Sequence, residues 1–331
     1  MTVTERYEYA DYPAAIEDYF EQGFTDGLPI VPPTPEAVAA MLAAGGFSGD
    51  EVLGEVPTRD VVVTAEKAAV NAVMAGCRDD YFPVVAAAVR AQLQRKANAH
   101  STTATLAGSA HAVIINGPVR AEIDVCSGQA CFGPGFRANA TIGRALRLVI
   151  RNVENSVPGA IDRATFSWPL RYSFCFGENE EASDWEPLHV QRGFARDDSV
   201  VTVHSVMDFV QALEFDPDPE VILDCIAATA RQRGMFFDEW CGTDRSLVVV
   251  VGAEHQRRLI DAGLTKKQVR EKLWPRLAAP GTGRHDLPVM AHTPENVLVV
   301  AAGGPGIACS WILLPHLSNP ISELVTTGTA R

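Results

Sequence analysis

The sequence predicts an α/β protein built from two related α/β halves, with mainly parallel or mixed sheets flanked by helices. Three observations predict it. The apolar runs "HAVIINGPV", "SLVVVVGA" and "VLVVAAGG" have the length of buried strands. Over the last third they alternate with helix-patterned stretches, which argues for parallel strand pairs. Each run ends in glycine, at Gly117, Gly252 and Gly303-Gly304, which suggests related halves. No period marks a solenoid or propeller. The polar break "EFDPDPE" divides the chain into an N-terminal α/β domain, 1–214, with the active-site loops, and a C-terminal one, 215–331.

The elements follow in order. A short helix near Pro13 to Gln22 stops at Gly23. Thr34-Pro35-Glu36 reads as N-cap, proline at the first helical position and an acidic first turn, for a helix ending at Gly45-Gly46. "TAEKAAVNAVMAGC" repeats the pattern, with Thr64 as cap and Gly76 as stop. "YFPVVAAAVRAQLQRK" is an amphipathic helix, and "HAVIINGPV" a buried strand feeding a tight turn. Gly128, Gly133, Pro134 and Gly135 mark a loop before a helix from Asn139 to Asn152, rimmed by Arg144, Arg147 and Arg151. A strand, "SVVTVHSV", precedes the break, and a helix from Val221 to Arg233 follows it. The chain closes with strand "LVVVVG", helices "AEHQRRLIDAG" and "TKKQVREKLWPRL", and strand "VLVVAAGG".

Composition narrows the functional classes. With 47% hydrophobic and 21% charged residues the chain is globular rather than disordered. Its net charge of −13 speaks against sequence-independent nucleic-acid binding, which needs a basic face, and against docking on anionic lipid. No stretch has the length of a membrane span, and the first twenty residues lack a signal-peptide pattern. Seven cysteines without a CxxC pair suggest reduced thiols in a bacterial-type cytoplasm.

The stretch "CFGENEEASDWEPLHV", Cys175 to Val190, is the most unusual. It mixes Glu178, Glu180, Glu181, Asp184 and Glu186 with Trp185, Leu188 and His189, residues that gain little from water. Glu178 or Glu181 with His189 would serve as general base and acid, with Trp185 keeping the site dry. The same residues suit two other readings: an O,O,N set for a divalent metal, or a solvated acidic edge capped by His189. The spacing matches no metal signature, and acid–base chemistry without a cofactor is the reading adopted. In "FGPGFRANATIGR", Arg137 could clamp a substrate carboxylate as a fork, with Asn139 or Thr141 orienting it; the plain alternative makes Asn139 an N-cap and leaves Arg137 solvated. Cys126 and Cys131 flank "SGQA" beside that loop, where Arg137 and a helix N-terminus would lower a thiol pKa and make it nucleophilic. "GGPG", with Gly303 and Gly304, lets backbone approach an anion, or simply turns from strand to helix.

The phrases "DGLPIVPPT", "EKAAVNAVMAGC", "FPVV", "VIINGPVR", "SGQACFGPGFRANATIGRALRL" and "ENEEASDWEPLHVQRGF" together resemble a family of bacterial proteins encoded beside or fused to small (seleno)proteins named for a UGSC motif. The resemblance runs from about Thr25 to Gly306. It implies motif residues at Asp26, Lys67, Asn71, Asn116, Gly133, Arg137, Asn139, Arg144, Glu178, Asn179, Glu180, Glu181 and His189. The family pattern does not require cysteine at Cys126 or Cys131, and this chain has "GIACS" where relatives carry a Gly-Lys-His-Ser-like run.

The expectation is therefore a cytoplasmic, homo-oligomeric enzyme on a small anionic metabolite, a lyase or related hydrolase. Glu178, Glu181 and His189 would move protons, and Asn116, Arg137, Asn139, Arg144, Gly303 and Gly304 would hold the anion. Two rivals stand beside it: a thiol enzyme using Cys126 or Cys131 with a (seleno)protein partner, and a non-catalytic subunit that binds a ligand or partner.

Overall fold

The computed structural model of the protein describes residues 7–182, 184–232, 246–278 and 293–328. Cys241 and the predicted end of the helix at Arg233 lie outside them. The chain opens with helices α1 (Tyr12–Glu21) and α2 (Pro35–Gly45), the antiparallel hairpin β1 (Val52–Val56) and β2 (Val61–Thr64), and helices α3 (Ala65–Ala75), α4 (Phe82–Leu93) and α5 (Ala99–Thr103). Strand β3 (Ala110–Asn116), helices α6 (Val119–Glu122) and α7 (Arg137–Asn152), strand β4 (Cys175–Gly177), helix α8 (Leu188–Gln191) and strand β5 (Val200–Leu213) follow. The remainder is α9 (Pro219–Gln232), β6 (Leu247–Val251), α10 (Ala253–Asp261), α11 (Lys266–Ala278), β7 (Val297–Ala301), β8 (Cys309–Pro315) and β9 (Ile321–Leu324).

The capping signals act as the sequence implies. Asp11, Thr34 and Thr64 each accept a first-turn backbone N–H, and Gly46 and Gly76 end their helices in the left-handed conformation. One start differs. The helix expected at Asn139 begins at Arg137 without a side-chain cap, which frees Asn139 for another task.

Seven strands form one mixed sheet in the order β4-β3-β5-β8-β6-β7, with β9 beside β5. β3 runs parallel to β4 and antiparallel to β5; β6 runs parallel to β7 and antiparallel to β8; β5 and β8 pair antiparallel between them. The order therefore reads the same from either edge, with β3, β4 and β5 matching β6, β7 and β8. Helices occupy matching places in the chain: α4 precedes β3 as α9 precedes β6, and α7 precedes β4 as α11 precedes β7. The fold is α/β, and its sheet carries strands from both sides of the break at residue 214.

Strand periodicity builds three cores from this one sheet. Ala110, Ala112 and Ile114 of β3, Phe176 of β4, Val248 and Val250 of β6, Leu298 and Val300 of β7 and Leu313 of β8 meet on the concave face. The alternate residues, such as Val113, Ile115, Val201 and Val203, pack under α3, α4 and α7. Val249, Val251, Val299 and Ile312 pack under α9 and α11. The sheet curls until its two edges meet, where Asn179 N–H, just past β4, donates to Ala301 O of β7 at 2.7 Å.

The strand-ending glycines have a steric cause. Gly117 turns out of β3 with φ +83°, and a Cβ there would overlap the carbonyl oxygen of Asp198, where the chain enters β5. Gly252, after β6, faces the Cys309 carbonyl at the start of β8 in the same way. Each parallel pair thus leaves room at its end for the antiparallel strand beside it. Gly117→Ala is expected to lose at least about 2 kcal/mol, from a left-handed φ plus a backbone clash. A urea titration beside wild type measures it.

Candidate active site at the sheet seam

The C-terminal ends of both parallel pairs converge where the sheet closes, and the acidic stretch crosses this seam. Glu178 follows β4 directly and is buried. Its Oε1 accepts from Lys266 Nζ (2.5 Å) and Ala301 N–H (3.4 Å), and its Oε2 from Asn116 Nδ2 (2.6 Å) and Leu188 N–H (2.7 Å). Lys266 is itself buried and also donates to Glu186 O at 3.0 Å. A charge this deep persists only when paired and hydrogen-bonded, and this carboxylate has both.

Glu180 and Glu181 share Arg120, at the start of α6. Glu180 Oε1 accepts from Asn116 Nδ2 (2.9 Å) and Gly117 N–H (2.8 Å) and lies 3.1 Å from Arg120 Nε. Arg120 Nη1 donates to Glu178 O at 2.7 Å, and its two Nη groups fork onto Glu181 at 3.1 and 2.8 Å. The two partners differ in exposure: the Arg120 side chain is 6% exposed and that of Glu181 69%. The hydrogen bond from Arg120 holds the Glu181 carboxyl below its ordinary pKa. His189 is fully buried in α8. Its Nε2 donates to Arg196 O at 3.2 Å, and its Nδ1 lies 4.0 Å from Glu180 Oε1. Asn116 Oδ1 and His189 Nδ1 are buried without a hydrogen-bond partner among the described residues. Trp185 is buried against the C-terminal half, donating to Leu264 O at 2.9 Å. The acidic stretch is a structured loop, with only part of it at the surface.

The predicted anion clamp is dispersed. Arg137 donates through Nε and Nη2 to Gly76 O, and Arg144 forks onto Asp26 with two bonds of 2.8 Å. Thr141 donates to its own helix at Arg137 O. Asn139 is buried and ties the preceding loop, accepting from Cys126 N–H and donating to Cys126 O and Cys131 O. That loop does reach the seam: Gly177 N–H donates to Cys126 O, and Gly303 N–H to Ser127 O at 2.8 Å. Gly304 packs so closely on Gln129 that a Cβ would collide with it. The close approach that "GGPG" permits is thus to the chain's own backbone. Only Asn116, Glu178, Glu181, His189 and Gly303-Gly304 gather here with the 126–131 loop.

The rival thiolate reading gains no support from the geometry. Burial raises the pKa of Cys126 and pushes that of Cys131 up to about 12, because the loop turns these thiols toward the apolar concave face and Arg137 bonds elsewhere. Among the described residues no group of three or more His, Cys, Asp and Glu side chains is placed to hold a metal ion.

Sequence reasoning missed Lys266 and Arg120. Lys266 opens α11, where the helix dipole disfavours a cation, and its neighbour Lys267 stands exposed in the same turn, so the local sequence does not single it out. Arg120 follows the Gly117-Pro118 turn at the end of β3, the same edge that bears the acidic stretch. Comparison with known proteins adds no assignment: no family model, curated protein or solved structure matches the chain.

Lys266→Met should cost about 3–5 kcal/mol by stranding a buried carboxylate, and Glu178→Gln combined with Lys266→Met should recover part of that loss. Denaturant unfolding of both variants measures this. Alkylation of Cys131 by iodoacetamide should be slow at pH 7 and quicken only as the pH approaches its raised pKa of about 12. Peptide mass spectrometry across pH 7–10 would show a flat, fast rate instead if the thiol were activated.

Proposed function

We propose that the seam is the active site of a cytoplasmic enzyme acting on a small anionic metabolite by acid–base chemistry, as a lyase or a related hydrolase. The observation that carries the reading is the Arg120 fork. Its guanidinium is buried and fixed by Glu178 O and Glu180, yet the carboxylate it grips belongs to the exposed Glu181. A substrate carboxylate can take that place at small cost, because an exposed partner contributes little.

The exchange has a chemical consequence. While bound to Arg120, Glu181 is a weak base; once displaced, it loses the hydrogen bond that lowers its pKa and becomes a better proton acceptor. It then stands beside the carbon next to the bound carboxylate and accepts its proton, as elimination requires. Glu180, between the fork and His189 Nδ1, holds Arg120 in place, and the leaving group takes its proton from water at the exposed rim beside Glu181. Glu178, with four donors, holds the loop and moves no proton. Asn116 Oδ1 and His189 Nδ1 are also buried here without a partner among the described residues, so hydrogen-bonding capacity remains at the seam.

The test is a thermal-shift panel of small mono-, di- and hydroxycarboxylates against wild type, Arg120→Lys and Glu181→Gln, with turnover of any hit followed by NMR. Wild type should respond to one class, and Arg120→Lys should lose the response. Glu181→Gln should bind roughly two- to fivefold tighter, the worth of one exposed ion pair, and turn nothing over. Glu181→Gln binding no tighter, or retaining full turnover, would remove the displaced-base reading.

A further inference from the structure

Past the C-terminal end of α7, the chain buries a carboxyl that the proposed chemistry does not use. Glu154 lies two residues beyond the helix, and its side chain is 0% exposed. Gln92 of α4, also buried, donates from Nε2 to Glu154 Oε2 at 3.3 Å. Arg59, in the turn between β1 and β2, brings Nη1 to 4.0 Å from the same oxygen, but its hydrogen bonds go elsewhere. Its Nη1 donates to the backbone O of Glu154 at 3.1 Å, and its Nη2 to His100 O and Thr103 Oγ1 of α5 at 2.9 and 2.7 Å. Three helices and a hairpin turn therefore meet around one carboxyl.

Two oxygens there are left over. Glu154 Oε1 and Gln92 Oε1 are both buried, and neither has a hydrogen-bond partner among the described residues. Both are acceptors while the carboxyl is ionised, so neither can satisfy the other. One proton changes that. A carboxylic acid and a primary amide pair through two bonds, amide N–H to acid C=O and acid O–H to amide C=O. The first already joins Gln92 to Glu154, and a proton on the carboxyl supplies the donor for the second.

The surrounding groups pull in opposite directions. Burial disfavours the carboxylate, while Arg59 from the hairpin turn, the Gln92 donor from α4 and Arg147 from α7 favour it. Arg147 is itself engaged, with Nη1 3.2 Å from His111 Nδ1 of β3 and Nε donating to Arg171 O. The His100 ring of α5 turns to Thr58 Oγ1 at 2.8 Å. Burial is the largest of these effects, and the Glu154 pKa is pushed up to about 7.

We propose that Glu154 is a proton switch: protonated, it pairs with Gln92 through two bonds and ties α4 to the end of α7; ionised, it draws Arg59 Nη1 off Glu154 O and re-seats the hairpin turn. The bound species is a proton, which needs no cavity. The switch stands whether or not the seam is catalytic. A carboxyl that holds its proton more tightly in the folded chain stabilises fully below the ordinary value of 4.5, and that share is lost as pH rises through 7.

The experiment is ¹³C NMR of the glutamate carboxyls of the full-length protein from pH 5 to 9, wild type beside Glu154→Gln. One wild-type resonance, missing from the variant, should titrate with a midpoint near pH 7. Amide shifts of residues 57–60 should follow that midpoint in wild type and lose this step in Glu154→Gln, which separates them from titration of His100. Arg59→Gln, lacking the nearest cation, should raise the midpoint. Glu154→Gln keeps the neutral shape of the acid and a permanent donor, so its Tm should exceed that of wild type at pH 8 and approach it at pH 5. A Glu154 carboxyl that does not titrate between pH 5 and 9, amides at 57–60 that move alike in both proteins, or a variant less stable than wild type at pH 8 would each overturn the proposal.

Discussion

The structure depends most on one buried carboxylate. Glu178 joins four segments that are far apart in sequence: Asn116 at the end of β3, Leu188 at the start of α8, Lys266 at the start of α11, and Ala301 at the end of β7. Beside it, backbone hydrogen bonds from Asn179 N–H to Ala301 O and from Gly303 N–H to Ser127 O cross the seam. The pair with Lys266 gains little over an apolar substitute in free energy, since desolvating two charges offsets most of their attraction. What it contributes is definition. A carboxylate that needs four donors is satisfied in only one arrangement of the seam, and an apolar contact would accept many.

The near-symmetry of the sheet makes the seam chemically lopsided. The N-terminal half brings Asn116, Arg120 and the acidic loop, while the C-terminal half answers with the backbone of Ala301 and the side chain of Lys266. Two matching scaffolds therefore build one polar centre between them. The concave face behind it is filled by aromatic and aliphatic side chains, among them Phe132, Phe174, Phe176 and Trp311. The polar centre sits at the rim where the strands end.

Much of the fold was legible because its signals are local. Thr34 and Thr64 announce helices within three residues, and the apolar runs of β3, β6 and β7 announce strands within seven. The acidic stretch was legible as structured, because Trp185, Leu188 and His189 could not all be solvated there, and each is buried. Which charges meet was not legible. Lys266 lies 88 residues from Glu178, and nothing along the chain ties the two. Arg137 reads as a clamp from its place before a helix, but that helix start beside Gly76 commits it to a carbonyl, and Arg144 is bound to Asp26. The setting of the cysteines was illegible for the same reason: a thiol's pKa depends on what covers it, and that cover comes from strands at a distance.

Strand β5 runs unbroken for fourteen residues. Its first half is zipped to β3 on one side and β9 on the other, and its second half to β8. The segment that links the two halves of the molecule is thus also the spine of the sheet. Its register shifts between Val206 and Asp208, at the point where it passes from β3 to β8. A bulge bends and twists the strand that carries it, and this one sits where the strand changes partners, so the strand that joins the halves also carries a built-in bend between them.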